Sequence, residues 1–220
     1  MTGAGAVRVY RRVVVASTLL FSLLALFVSR RARPPAVATD LDQHIRAYPG
    51  QWRFDLASVL RAGGALPVAW LVAIAGAVVL VRVWNRGDLA VLCIAAPVLA
   101  GLAGVVIKEV IIPDVSKSAA LQGAYGYGFP SVHAAVAAAL VAVVVIVVPE
   151  ITAEVRLRVF WIGGAVALAL AVAASNVIEG AHRSLDVVGG GLLGVTATLV
   201  AALATAAWNR ARDAADEVVQ

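Results

Sequence analysis

Two short stretches of the sequence contain residue types that can carry out acid–base or nucleophilic chemistry. The first, at 128–133, is Gly-Phe-Pro-Ser-Val-His and directly precedes an apolar run. A Pro-Ser pair is typical of a helix start, where the serine caps the helix and the first turn presents unpaired N–H groups. The positive end of the helix dipole adds to these donors, so an anion binds well there. We therefore predict an anion site at Ser131, with His133 as a titratable group in the same turn.

The second stretch contains a histidine and a carboxylate, His182 and Asp186. Their spacing of four residues predicts that both lie on one face of a helix. A carboxylate that binds one ring nitrogen fixes the imidazole tautomer and leaves the other nitrogen free to attack an electrophile. The pair taken alone is also typical of simple helix stabilisation. With His133 as the acid for a leaving oxygen, it predicts phosphoryl transfer through a phosphohistidine.

The only lysines of the chain, Lys108 and Lys117, precede the first stretch by a short distance. We predict that they bind the anion together with Ser131 and stabilise negative charge in the transition state. Simpler roles remain open. A lysine at a helix end can extend its ammonium group to the membrane surface, and a serine at a helix start can be only a cap.

A zinc site formed by His133, His182 and Asp186 is the chemical alternative. No His-Glu-x-x-His motif and no cysteine pair supports it. The single cysteine, Cys93, lies in an apolar run and excludes an intrachain disulfide. We therefore predict no metal and no other cofactor.

The composition is that of a membrane protein. The chain has 220 residues, of which 62% are hydrophobic and 14% charged, and its mean hydropathy is +0.92. A soluble domain has about half apolar and about a quarter charged residues, so this much apolar surface does not fit one water-soluble core. The net charge is +5, but the arginines are scattered and aromatic residues are few. The lipid bilayer is therefore a predicted partner, and nucleic acid is not.

Six apolar runs are long enough to cross a membrane. They occupy residues 13–29, 67–84, 88–110, 130–148, 159–175 and 182–208. We predict an all-α integral membrane protein with six transmembrane helices in one bundle. A signal peptide is the alternative for the first run, because Ala36-Val37-Ala38 resembles a cleavage site. Arginines between the run and this tripeptide favour a retained helix.

The other segments flank these spans. Residues 1–12 form a basic N-terminal segment, 13–208 the membrane domain and 209–220 a polar tail. Within the polar segment 30–66, residues 51–61 have the spacing of a short amphipathic helix at the membrane surface, and a plain linker is the alternative.

Six spans place both termini on one side of the membrane. A slight excess of arginines on that side favours the cytoplasm. The arginine cluster directly after the first span favours the opposite orientation, so the charges alone leave the orientation open. The loop 111–127 and the break near Gly180 then open on the opposite face. The candidate residues of both stretches can therefore converge there.

The two stretches resemble the signature of the type 2 phosphatidic acid phosphatase superfamily. That signature has three parts, Lys-x6-Arg-Pro, Pro-Ser-Gly-His and Ser-Arg-x5-His-x3-Asp. The second and third parts have counterparts here in the same order and spacing: Pro130-Ser131-Val132-His133, then Ser175-Asn176, His182 and Asp186. The resemblance extends over residues 67–208.

The resemblance implies a membrane phosphatase that works without a metal. By position, His182 corresponds to the phosphohistidine nucleophile, Asp186 to its orienting partner and His133 to the general acid. The implied phosphate ligands occupy positions in the three parts of the signature: Lys108, Ser131, Ser175 and Asn176.

The implied substrate is a phosphomonoester or diphosphate of a membrane lipid, of the polyprenyl phosphate or phosphatidic acid type. The implied site faces the extracytoplasmic side of a bacterial plasma membrane, which agrees with cytoplasmic termini. The oligomeric state stays open, and a homo-oligomer is one alternative.

Three departures from the signature remove part of the phosphate clamp. Val115 and Asn176 stand where the first and third parts have arginine, and Val132 stands where the second has glycine. A charge-assisted contact contributes about 1.5–3 kcal/mol, so losing two lowers binding by a factor of ~10² to 10⁴. Lys117 and Arg183 are candidates to replace the missing cations. The alternative function is a weakened or inactive relative that binds or transports a phospholipid, or a membrane partner subunit.

Overall fold

The structure, a computed structural model, describes residues 4–30, 36–46, 51–63, 66–111 and 128–219. Within these ranges the chain forms eight α-helices and no β-strand. The helices, in chain order, are α1 (Ala4–Ser29), α2 (Ala36–Arg46), α3 (Gln51–Gly63), α4 (Leu66–Trp84), α5 (Gly87–Val106), α6 (Val132–Ile151), α7 (Val155–Ile178) and α8 (Ser184–Val219). A π-helical turn, Ile107–Ile111, continues α5.

Six of these helices are long and apolar enough to cross a membrane: α1, α4, α5, α6, α7 and α8. The predicted all-α membrane protein with six spans is therefore confirmed. Two helices extend beyond the predicted spans by nine residues or more. Helix α1 begins at Ala4, within the basic segment, and α8 continues to Val219, through the polar residues that follow the last span. Alanine, arginine and glutamate in these ends favour helix even where the sequence is no longer apolar.

The polar segment between the first two spans contains two helices. Helix α3 confirms the predicted helix at 51–61, whereas α2 was not predicted from the sequence. Helix α3 packs against α7, and α2 packs against α7 and α8. The location of α3 at the membrane surface stays a prediction.

The centre of the bundle consists of α5, α6 and α8, which pack on one another. Helix α1 packs on α8, α4 on α5 and α7 on α6. Buried aliphatic residues fill the space between the central helices, among them Leu92, Ala96, Val143 and Ala202. Helix α7 contributes few buried residues, so most of its surface faces outward.

Glycines bring α8 unusually close to α6. A Cβ atom added at Gly190 would collide with the carbonyl oxygen of Ser131, and one at Gly194 with that of Ala135. This spacing of four residues is typical of tightly packed membrane helices. Gly190 and Gly194 therefore serve close helix packing, whereas at Gly191 an added Cβ would meet nothing within 4 Å. The close approach sets the starts of α6 and α8 side by side.

Candidate active site

Ser131 caps α6, as the Pro-Ser pair predicts. Its backbone is extended, with φ −71° and ψ 113°, and its Oγ accepts a hydrogen bond of 3.3 Å from the Ala134 N–H. The side chain is fully buried. The Ser131 N–H donates to the backbone oxygen of Asp186 at 3.0 Å. The start of α6 is thereby tied to the first turn of α8.

Asp186 connects the two sequence stretches. Its Oδ2 accepts the Arg183 N–H at 2.9 Å and the Gly128 N–H at 3.1 Å. The first bond resembles a capping box, in which a carboxylate in the first helical turn binds the N–H of the capping residue. The carboxylate is completely buried. One side chain therefore caps α8 and holds the loop in front of α6.

His182 lies in the bend between α7 and α8 and not on α8. The prediction that His182 and Asp186 share one face of a helix is therefore wrong. The predicted proximity is nevertheless present, because His182 Nδ1 lies 3.7 Å from Asp186 Oδ2. That distance exceeds hydrogen-bond length, and within the described part of the chain neither Nδ1 nor Asp186 Oδ1 has a hydrogen-bond partner. The 3.7 Å separation would have to shrink by about 0.8 Å to form an ordinary hydrogen bond.

Gly128 lies directly against the imidazole ring of His182. A Cβ atom added at Gly128 would be 2.9 Å from Nδ1 and 3.1 Å from Cε1. Such contacts are too short, so a side chain at 128 would displace the ring. The ring is therefore confined between the Gly128 backbone and the Asp186 carboxylate, with its side chain 11% exposed.

The bend that carries His182 confirms the predicted break near Gly180. Helix α7 ends at Ile178, and Gly180 has a φ of +73°, the left-handed conformation in which a glycine commonly ends a helix. The Gly180 N–H donates to Val177 O, and the His182 N–H donates to Asn176 O, both at 3.1 Å. These bonds reverse the chain and hold the His182 backbone on the end of α7.

Ser175 and Asn176 are buried near the end of α7. The Ser175 hydroxyl and the Asn176 amide each donate to the backbone oxygen of Val172, at 2.7 Å. Side chains of this kind often bind the preceding turn of their own helix. A phosphate would have to compete with that carbonyl for both donors, and their role as phosphate ligands stays a prediction.

The three predicted cations, Arg183, Lys108 and Lys117, differ in their location. The Arg183 guanidinium is buried, with Nη1 3.6 Å from Asp42 Oδ2. Lys108 is partly buried in the π-helical turn that continues α5. One turn earlier, a Cβ added at Gly104 would be 3.2 Å from Val132 Cγ2, so this end of α5 lies beside the start of α6. Lys117 lies outside the described residues.

Phe129 anchors the loop in front of α6, a role that the sequence did not indicate. Its ring is fully buried and stacks on Phe21 of α1, with centroids 5.6 Å apart. It also fills the space next to Gly189 of α8, where an added Cβ would collide with it. His133, two residues after Ser131, lies in the first turn of α6 and is partly buried.

An apolar groove with a volume of about 620 Å³ extends from the site along the bundle. One end of the groove is at Ala134 and Val187, in the first turns of α6 and α8. Tyr10 of α1 lies at the other end. Helix α7 forms one wall with Val166, Ala169 and other apolar residues. Small side chains along α6 leave the room: Ala134, Ala137, Ala138 and Ala142.

In the described ranges, no group of three His, Cys, Asp or Glu side chains is placed to hold a metal ion. The zinc site left open by the sequence therefore lacks a ligand set among these residues.

Six spans and a polar cluster at the joined starts of α6 and α8 define a helical integral membrane protein with a candidate site at one end of its central helices. The chain belongs to the PAP2 superfamily, whose sequence pattern matches residues 9–210. This confirms the family resemblance inferred from the motifs, and members of the superfamily are generally phosphatases. Comparisons with curated proteins and with solved structures gave no match.

Proposed function

We propose that the protein is a lipid-phosphate phosphohydrolase that cleaves a phosphomonoester or diphosphate through a phosphohistidine at His182. Membership of the PAP2 superfamily supports phosphoester chemistry in general. The observation that carries the specific proposal is the confinement of His182 beside Asp186 and next to the start of α6. A nucleophile, a carboxylate and a helix start with anion-binding geometry meet there.

In the proposed reaction, Nδ1 of His182 keeps its proton toward Asp186 and Nε2 attacks phosphorus. The bond between phosphorus and the leaving oxygen breaks, and that oxygen takes a proton from His133. Water then attacks the phosphohistidine, the P–N bond breaks, and a proton from this water returns to His133. Inorganic phosphate leaves, and both histidines regain their starting state.

The start of α6 and Lys108 provide the positive potential in this proposal. Negative charge grows on the phosphoryl oxygens in the transition state, and N–H groups fixed at a helix start stabilise it without reorganising. Ser131 holds this helix start in place through its bonds to Ala134 and Asp186.

The apolar groove supports a lipid as the substrate. It starts at Ala134 and Val187, which follow His133 and Asp186 in the sequence, and it is lined by small and aliphatic side chains. Between Ala134 and Ile146 it follows α6 for about 18 Å, comparable with one leaflet of the hydrocarbon core. A polyprenyl chain or an acyl chain fits this description, with the headgroup at His182. In this proposal, the site faces the extracytoplasmic side of the membrane and both termini are cytoplasmic.

A second candidate function, binding or transport of a phospholipid without turnover, is favoured by two contacts in the structure. The buried Arg183 guanidinium is paired with Asp42, and the Asn176 amide is bonded to Val172 O. Both side chains are therefore bound by other groups of the protein. In this second candidate function, they contribute little to phosphate binding.

The test is phosphate release from a panel of lipid monophosphates and diphosphates in detergent with EDTA present. We expect turnover by the wild type, inhibition by vanadate, and a loss of roughly 10³-fold or more in His182→Ala, because the nucleophile is removed. His44→Ala is the matched control, since His44 is exposed on α2, and it should keep wild-type activity. Full activity in His182→Ala contradicts the phosphohistidine. Binding of these lipids with no release supports the second candidate.

A further inference from the structure

Helix α2 touches the chain on both sides of the bend that carries His182. It packs against α7, which ends just before the bend, and against α8, which begins just after it. Two side chains of α2, Asp42 and Arg46, make these contacts with polar atoms. They are four residues apart and therefore share one face of the helix.

Asp42 binds the start of α8. Its side chain is buried, and Oδ1 accepts the Ser184 N–H at 3.0 Å. Its Oδ2 lies 3.6 Å from Nη1 of Arg183, the residue that follows His182. A negative charge at a helix start is stabilised by unpaired N–H groups and by the helix dipole. Asp42 therefore fixes both the backbone and the side chain next to His182.

Arg46 binds the end of α7. Its Nε donates a hydrogen bond of 2.9 Å to Val177 O. The guanidinium also lies over Gly180, where an added Cβ would be 3.8 Å from its Cζ atom. A positive charge at the end of a helix is stabilised by the last carbonyl groups. Asp42 and Arg46 thus bind the helix ends whose dipoles match their charges.

These two contacts matter because, among the described residues, α7 and α8 make few direct contacts with each other. Helix α7 packs mainly on α6 and α3, and the apolar groove separates it from α8 over much of its length. The His182 backbone is bonded to the α7 end, whereas its partner Asp186 belongs to α8. A change in the angle between the helices therefore changes the distance from His182 to Asp186.

We propose that α2 is a positioning element, and that Asp42 and Arg46 hold the bend so that His182 stays against Asp186. Neither side chain is assigned a contact with substrate. The activity part of the test rests on the proposed function. The structural part measures the exposure of the His182 ring directly.

The variants separate the two contacts from general effects of charge. Asp42→Asn keeps an oxygen for the Ser184 N–H but removes the charge, and Asp42→Ala removes both. Arg46→Ala removes the bond to Val177 O, and Arg46→Lys restores a charge at the same helix end. Asp40→Ala is the matched control on the exposed face of α2, and Arg156→Ala is an exposed control on α7.

The first readout is the rate at which diethyl pyrocarbonate modifies each of the three histidines, followed by mass spectrometry of the full chain in detergent. We expect His182 to react about tenfold faster in Asp42→Ala and Arg46→Ala, because loss of a bond to a buried charged group frees the bend. His133 on α6 serves as the internal reference, since His44 lies on α2 between the substituted positions. Asp42→Asn and Arg46→Lys should give smaller increases, and both controls should match the wild type.

The second readout is kinetic. We expect kcat for lipid phosphate to fall about tenfold or more in Asp42→Ala, with KM changed by less than about threefold, because substrate contacts remain while the nucleophile is misplaced. Unchanged His182 reactivity in both alanine variants overturns the inference, whatever the activity. If the wild type shows no turnover, faster His182 modification in the two alanine variants would leave the inference standing and refute the proposed function. If Asp42→Ala does not fold, Asp42→Asn and Arg46→Ala decide on the same criterion.

Discussion

At the scale of single residues, the position of the His182 ring depends on a residue without a side chain. Gly128 lies against the ring, and its N–H donates to the Asp186 carboxylate. We expect Gly128→Ala to lower the rate of phosphate release by up to about 10²-fold, because the new methyl group would lie 2.9 Å from Nδ1 and displace the nucleophile. Gly163→Ala is the control, since an added Cβ there meets nothing within 4 Å. A wild-type rate in a folded Gly128→Ala protein would refute this role.

Residues whose structure is set locally could be predicted from the sequence, and residues set by tertiary contacts could not. Ser131 caps α6 because of its type and its place after a proline, both visible in the sequence. The proximity of His182 and Asp186 was predicted, but its cause is a capping arrangement at the start of α8 and not a shared helix face. The sequence did not single out Asp42, because the role of this residue depends on the docking of α2 against α8.

At the scale of helices, the site depends on how closely α8 approaches α6. Gly190 lies against the carbonyl oxygen of Ser131, so the contact is made where the cap of α6 is formed. We expect Gly190→Ala to lower the free energy of unfolding by about 1–3 kcal/mol, because the added methyl group forces the helices apart. Thermal unfolding in detergent measures this change. Gly191→Ala, one position away and with open space around its Cβ, should unfold like the wild type; equal losses in both variants would show that the close contact is not the cause.

The helices were predictable to different degrees for a physical reason. The six spans follow from runs of apolar residues, since a lipid environment demands continuous hydrophobicity and internally paired backbone groups. Helix α2 is 11 residues long, and its sequence is slightly polar on average. An isolated helix of that length is marginal in water, so packing stabilises it more than its own sequence does. Its contacts with α7 and α8 supply that packing, and they could not be deduced before the bundle was known.

At the scale of the whole molecule, the outward position of α7 connects the site with the membrane interior. The three central helices pack closely, but α7 leaves an apolar groove between itself, α6 and α8. A lipid whose headgroup reaches His182 would place its hydrocarbon chain in this groove. A water-soluble phosphoester would reach the same headgroup site without using it. The two substrate classes should therefore respond differently when the groove is filled.

Gly191 is the position from which to fill it, because it lines the groove and an added Cβ meets no atom within 4 Å. We expect Gly191→Phe to lower kcat/KM for a long-chain lipid phosphate by about tenfold, which corresponds to roughly 1.4 kcal/mol of lost chain binding. Hydrolysis of a short, water-soluble phosphoester should stay unchanged, since the catalytic residues are not touched. Gly163→Phe makes the same change on the outer surface of α7, outside the groove lining, and should affect neither substrate. Equal losses for both substrates in Gly191→Phe would mean that the ring disturbs the site itself, and no loss for either would mean that the lipid chain lies elsewhere on the bundle.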